Sequence, residues 1–244
     1  MDTIEFSSST NEESNDRENM IRKLIWVILL LNFSCGEEAP ELTFEEVRSY
    51  FPTEVGFYST YEVEKITYNF NNADTTNYYL KEEIVDSIIS STGQLTYILE
   101  QATRIDSADL WKVDSMYTVR FQNRGLMVVE NNITYQKLAF PVIEGTEWDG
   151  NAFNSQSAQT YYYQPIDGDS PSAFTDETSI KVIIEDIPRS FFSQDEKFEV
   201  YTKGVGLVEK NYITLNFCTD CNGEEGFVNS GSILKQRLIS YGQK

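Results

Sequence analysis

The chain is predicted to be mainly β, a single antiparallel β-barrel, half-barrel or sandwich-like domain with one short N-terminal helix. Three observations carry that prediction. The first is strict alternation: Tyr117, Val119 and Phe121 alternate with Thr118, Arg120 and Gln122, and Ile213, Leu215 and Phe217 with Thr214 and Asn216. Ile180, Val182 and Ile184 alternate in the same way with Lys181 and Glu185. Period two is the mark of a half-buried strand, because successive side chains point to opposite faces. The second is that about a dozen such stretches follow one another across short turns, the pattern of an antiparallel sheet that closes or folds on itself. The third is the scarcity of helix signals.

The N-terminal segments are separate from that domain. Residues 1–19 are polar and acidic and precede Met20, a natural second start, so they are expected to be an upstream extension or a disordered tail. Residues 20–34 have the layout of a signal peptide: a basic start at Met20-Ile21-Arg22-Lys23, an apolar run from Leu24 to Leu31, then Asn32-Phe33-Ser34 before Cys35. That run is too short for a membrane-spanning helix, which needs about 20 apolar residues. It also lacks the polar face of a helix packed on a soluble core. Residues 35–42, with Gly36, Glu37 and Glu38, read as an acidic flexible linker. The segment resembles the signal of Bacteroidota lipoproteins. The resemblance implies acylation of Cys35, with Leu31 to Ser34 as the recognition segment. Asn32 and Phe33 depart from the stricter pattern of other bacteria. Glu37-Glu38 look like the acidic export signal of that class. The implied location is the outer membrane, on its periplasmic or its surface side.

The domain itself is expected over residues 43–244. Thr43-Phe44-Glu45-Glu46 is a capping box, starting a helix that ends near Tyr50, where Phe51-Pro52 stops it. Strands are expected at residues 57–70, 78–89, 95–104, 117–122, 126–130, 134–140, 160–164, 180–185, 198–203, 205–210, 212–217 and 233–241. Ser107 to Val113 is expected to form a turn of helix, and Pro188 to Asp195 a loop or single helical turn. A weak internal repeat links Phe51-Pro52-x-x-x-Gly56-x-Tyr58 to Phe140-Pro141-x-x-x-Gly145-x-x-Trp148. Its physical reading is a strand entrance: proline at an edge, glycine at positive φ, then an aromatic that plugs the core. A duplicated half would make the sheet pseudo-symmetric.

Charge and composition exclude several functions. The whole chain carries a formal net charge of −20. Without residues 1–34 it keeps 33 acids and 16 bases, net −17, which argues against nucleic acid and against peripheral attachment to anionic lipid. The chain has no histidine. This removes the usual Ser-His and Cys-His nucleophile systems and histidine metal sites, and no metal or cofactor is expected. Cys218 and Cys221 follow a strand-like segment and enter the turn-rich Asn222-Gly223-Glu224-Glu225-Gly226, so a structural disulfide is expected there rather than a redox pair. Glu144, Glu147 and Asp149 near Trp148 read as a solvated acidic turn, and Asp167-Gly168-Asp169 as an ordinary turn. Tyr161-Tyr162-Tyr163 is the one ligand hint, because a strand must turn at least one of these rings away from its neighbours.

The folded part also resembles an uncharacterised lipoprotein family of the same phylum. The likeness is carried by Glu130-Asn131-Asn132, Lys137 to Pro141, Glu144 to Asn151, Tyr201 to Val208 and Leu238 to Gly242. That family carries no activity to transfer. The functional expectation is an outer-membrane-anchored, noncatalytic binding or accessory module, with a glycan or protein partner at Tyr161, Tyr162 and Tyr163. The alternatives are a half-barrel carrier of a hydrophobic ligand and a carboxylate-dependent hydrolase. Cys35→Ser should move the protein from the membrane fraction to the soluble one, because acyl chains contribute about 0.8 kcal/mol per buried methylene. Retention of the variant in the membrane would end the lipoprotein reading.

Overall fold

A computed structural model describes residues 48–166, 173–176, 178–218 and 226–244. Twelve antiparallel strands form one sheet: β1 (Phe57–Asn69), β2 (Asn72–Ile89), β3 (Leu95–Arg104), β4 (Lys112–Gln122), β5 (Gly125–Glu130), β6 (Ile133–Ala139), β7 (Glu147–Asp149), β8 (Thr160–Gln164), β9 (Ile180–Ile187), β10 (Ser193–Thr202), β11 (Gly206–Phe217) and β12 (Val228–Gln243). The strand order is β6-β5-β4-β3-β2-β1-β12-β11-β10-β9-β8-β7. Two six-stranded meanders, β1 to β6 and β7 to β12, are therefore joined through their outermost members, β1 and β12, in a ladder running from Phe57↔Gln243 to Asn69↔Ser230. The result is a nearly closed barrel.

Local chemistry explains the hairpins. Phe70-Asn71, Asn123-Arg124 and Asn131-Asn132 each hold two consecutive residues at positive φ, between 47° and 63°. Each pair is a two-residue loop between paired strand ends. This is the mirror-image turn whose twist matches the flanking strands, and asparagine tolerates it better than most residues. The expected repeat falls on the fold's symmetry. Gly56 (φ 92°) delivers the chain into β1 and Gly145 (φ 75°) into β7, the first strand of each meander.

The remaining edges, β6 and β7, do not form a ladder; one backbone bond and several side-chain bonds join them. The Gln136 N–H donates to the Gly150 carbonyl at 2.9 Å. Trp148 Nε1 donates to the Gln136 carbonyl and Asn154 Nδ2 to the Thr134 carbonyl, each at 2.9 Å. The Tyr163 hydroxyl accepts from the Ala139 N–H at 2.9 Å and donates to the Ala139 carbonyl at 2.7 Å. An exposed edge is a template for association, and these bonds occupy it.

The apolar core fills the barrel end where β1, β3 and β11 begin. Tyr61, Ile84, Leu99, Val119, Leu126, Leu138 and Val208 are buried there or along the wall. The segment before β1 seals this end: Tyr50 is buried, and the Gly204 N–H donates to the Ser49 carbonyl at 2.6 Å.

Several expected elements differ. Among the described residues no helix is longer than the single turn at Arg48 and Ser49, where the Phe51 N–H donates to the Arg48 carbonyl. Thr43 and Glu46, the capping box, lie outside the described residues. Ser107 to Val113 is not helical. Asp106 accepts from the Ala108 N–H and Asp109 from the Asp106 N–H, a local bonding pattern that competes with a helix, and β4 already starts at Lys112. Ser193 to Asp195, expected in a loop, belong to β10, and residues 205–217 form the single strand β11 from Gly206. Glu147 to Asp149 form the edge strand β7 rather than an acidic turn, because Trp148 is drawn inward against Tyr163, with ring centroids 4.6 Å apart. Three residues are too few to display a period.

Tyr163→Phe should keep the packing but leave the half-buried amide and carbonyl of Ala139 without this partner, at a cost of about 1 kcal/mol. Hydrogen exchange at the Ala139 amide should accelerate more than exchange at the β1–β12 ladder. Equal acceleration at both would show that the seam is not held by this hydroxyl.

Candidate functional site

The strands place a charged cluster inside the barrel. Alternation along β10 puts Lys197, Glu199 and Tyr201 on the inner face, and the register sets Lys210 opposite Glu199 and Tyr212 opposite Lys197 on β11. From across the interior comes Lys137 on β6. It sits at the register shift where Leu126 faces Leu138 and Met127 faces Gln136, so it is the extra residue of a β-bulge. A bulge re-aims a side chain, and here it turns a lysine inward.

Glu199 is the centre, 1% exposed. Its Oε1 receives Lys137 Nζ at 3.0 Å and the Tyr212 hydroxyl at 2.5 Å, with Lys210 Nζ at 3.6 Å. Its Oε2 receives the Tyr201 hydroxyl at 2.6 Å. Burial pushes the carboxyl's pKa up, but the Lys137 and Lys210 charges and the two hydroxyls outweigh it and hold Glu199 well below the usual carboxylate range. Burial likewise opposes the charge on Lys137, and the adjacent Glu199 carboxylate overcomes it, raising the ammonium well above the ordinary lysine value. Tyr161 borders the cluster, its hydroxyl pushed up to about 12 chiefly by burial.

Above this floor lies a cavity of about 300 Å³. Its walls include Tyr135, Tyr161 and Tyr212, with Gln156 and Gln159 from the β7–β8 connection and Glu130 at the end of β5. It opens at the end of the barrel opposite the apolar plug. At the apolar end the void under Phe51 and Pro52 measures about 30 Å³, the room of a single water. A larger cleft of about 360 Å³ lies along Glu62, Glu64, Tyr79 and Arg237, but it lacks a buried charged floor.

The three tyrosines expected to act together are divided by the strand. Tyr161 and Tyr163 are buried and Tyr162 is half-buried on the outer face, donating to Asp186 at 3.3 Å. Tyr161 lines the cavity, Tyr163 seals the seam, and neither forms an outer contact strip. Cys218 is disulfide-bonded, whereas its expected partner Cys221 lies outside the described residues, as do Cys35 and Asp167 to Asp169. The described residues contain no group of three or more acids, cysteines or histidines placed to hold a metal.

Sequence reasoning missed Glu199, Lys137 and Lys210. In Phe198-Glu199-Val200-Tyr201 the apolar alternation sends the carboxylate outward, and only Tyr201, two residues on, signals an inner face with hydrogen-bonding capacity. Lys137 carried no signal, because a bulge is invisible in a hydropathy pattern.

No protein-family model matches the chain, and no curated protein matches it. Among solved structures, a Bacteroides fragilis protein provisionally described as exported, with a YmcC-like fold, is similar at a TM-score of 0.44 and 12% identity. The match covers 80% of this chain and 99% of that one.

Glu199→Gln should cost about 3–5 kcal/mol at neutral pH, because it leaves two buried ammonium groups without their counter-charge. The folded carboxyl titrates below its unfolded value of about 4.3. Its stabilisation is therefore complete above that pH and is lost as pH falls through it toward the folded value. Denaturant unfolding between about pH 2 and 7 should show a shallower acid limb for the variant. An unchanged limb would place the acid sensitivity elsewhere.

Proposed function

We propose that the protein is a noncatalytic binding module, anchored in the cell envelope through Cys35, that holds a small polar ligand such as a saccharide unit in the open end of its barrel. The cavity carries this reading. It combines aromatic walls, side-chain amides and fixed charges in about 300 Å³, at the lower bound of typical small-molecule sites. Tyrosine faces suit the apolar faces of a sugar, while amides and charges suit its hydroxyls.

Two observations weigh against the alternatives. A carrier of a hydrophobic ligand needs a roomy apolar interior, and the void among the apolar groups under Phe51 and Pro52 measures about 30 Å³. A hydrolase built on Glu199 needs a free lone pair or a proton to give. This carboxylate is 1% exposed, accepts hydrogen bonds on both oxygens from Lys137, Tyr212 and Tyr201, and is held ionised by the neighbouring ammonium charges. Tyr162 stays a solvated outer ring bonded to Asp186 rather than the contact residue.

The reading is tested by screening oligosaccharides against the full chain in detergent. Tyr135→Ala should weaken the best ligand by about 1–2 kcal/mol, the range of an aromatic hot spot, while Tyr162→Ala should leave it unchanged. The opposite ranking would move the site to the outer face, and turnover of the ligand would end the noncatalytic reading.

A further inference from the structure

Within the proposed binding role, the cavity floor specifies the ligand further. Its deepest charges do not balance. Glu199 supplies one carboxylate, while Lys137 and Lys210 supply two ammonium groups, with side chains only 9% and 17% exposed. Among the described residues Glu130 is the only other acid within 4.0 Å of Lys137, with its side chain 36% exposed at the rim, and the cavity wall adds Glu185 and Lys197, one charge of each sign. Lys210 has no second acid within 4.0 Å among the described residues.

The hydrogen-bond inventory repeats the imbalance. An ammonium group has three donors. Lys137 uses one on Glu199 at 3.0 Å, and Lys210, at 3.6 Å from the same oxygen, lies beyond hydrogen-bond length. The oxygen that faces both lysines already accepts from Lys137 and from the Tyr212 hydroxyl. A half-buried cation with an incomplete counter-charge favours an incoming anion over a neutral hydroxyl, since charge-assisted bonds are about twice as strong as neutral ones. The shape of the anion follows from the walls: Tyr161 and Tyr212 flank the lysines, so the charged group must be attached to a body that packs on rings.

We infer that the ligand is an acidic saccharide unit, its carboxylate seated between Lys210 and Lys137 and its ring against the cavity tyrosines. The ring stands on tyrosine and the carboxylate on the uncompensated ammonium, so the two halves of the claim fail separately. The acidic exterior, net −17 without residues 1–34, restricts the fit to one or a few such units, since a long polyanion meets the repulsion of the surface.

The test uses the full chain in detergent, carbon-13 labelled at lysine, titrated to millimolar concentrations with glucuronate, with its uncharged methyl ester and with glucose. Glucuronate should shift the Lys210 and Lys137 Cε resonances, and the ester and glucose should bind at least ten-fold more weakly. Lys210→Gln should remove that preference and Lys210→Arg should retain it. Both variants are checked for native tyrosine resonances, so that unfolding is not mistaken for lost binding. If the ester and glucose bind as well as glucuronate, the carboxylate inference is overturned while the polar-cavity reading stands. If none of the three perturbs a cavity resonance, the inference and the cavity reading fall together.

Discussion

A carboxylate taken out of water must be fully paired, and Glu199 sets the terms for the barrel that surrounds it. At 1% exposure it is stable only where positive charge and hydrogen-bond donors converge. Two of those donors, Tyr201 and Tyr212, come from β10 and its neighbour β11. The third, Lys137, comes from β6 at the far edge of the sheet, four positions from β10 by way of the seam. Satisfying Glu199 thus brings the two free edges of a twelve-stranded sheet toward each other. The seam bonds of Trp148, Asn154 and Tyr163 form where this approach leaves them.

The architecture is asymmetric in a useful way. Two equivalent meanders meet through a ladder of thirteen residue pairs on one side, β1 with β12, and on the other through side-chain bonds and the backbone bond from Gln136 to Gly150. The ladder side is regular and fixes the register. The seam side has a three-residue strand, β7, beside a bulged one, β6, and side chains there have freedom to turn inward. The cavity lies on the seam side for that reason: bulges at Lys137 on β6 and beside Ile183 and Glu185 on β9 interrupt the alternation that elsewhere fills the interior with apolar groups.

The interior is partitioned along its axis. One end is closed by Tyr50, Phe51 and Pro52 over an apolar core, and the other opens above a charged floor. An excess of acids outside and two lysines gathered on one carboxylate inside keep the two environments distinct. The exterior field favours solubility, while the low-dielectric interior strengthens each contact made to the lysine ends.

The sequence by itself determined the strands, because period two is a local property, and β3 and β8 were legible to the residue. It determined the strand entrances at Gly56 and Gly145, where only the backbone freedom of glycine suits the turn. It determined the net charge and the absence of histidine, which restrict the chemistry before any fold is known. Tertiary structure decided the rest. A three-residue strand such as β7 has no periodicity of its own and exists because Trp148 is captured by the interior. Glu199 and Lys137 are 62 residues apart, and each alone reads as a solvated charge. Nothing local specifies that two such groups will share a buried bond. That is decided when the sheet curls and the energy of an unpaired charge selects the closure that pairs it.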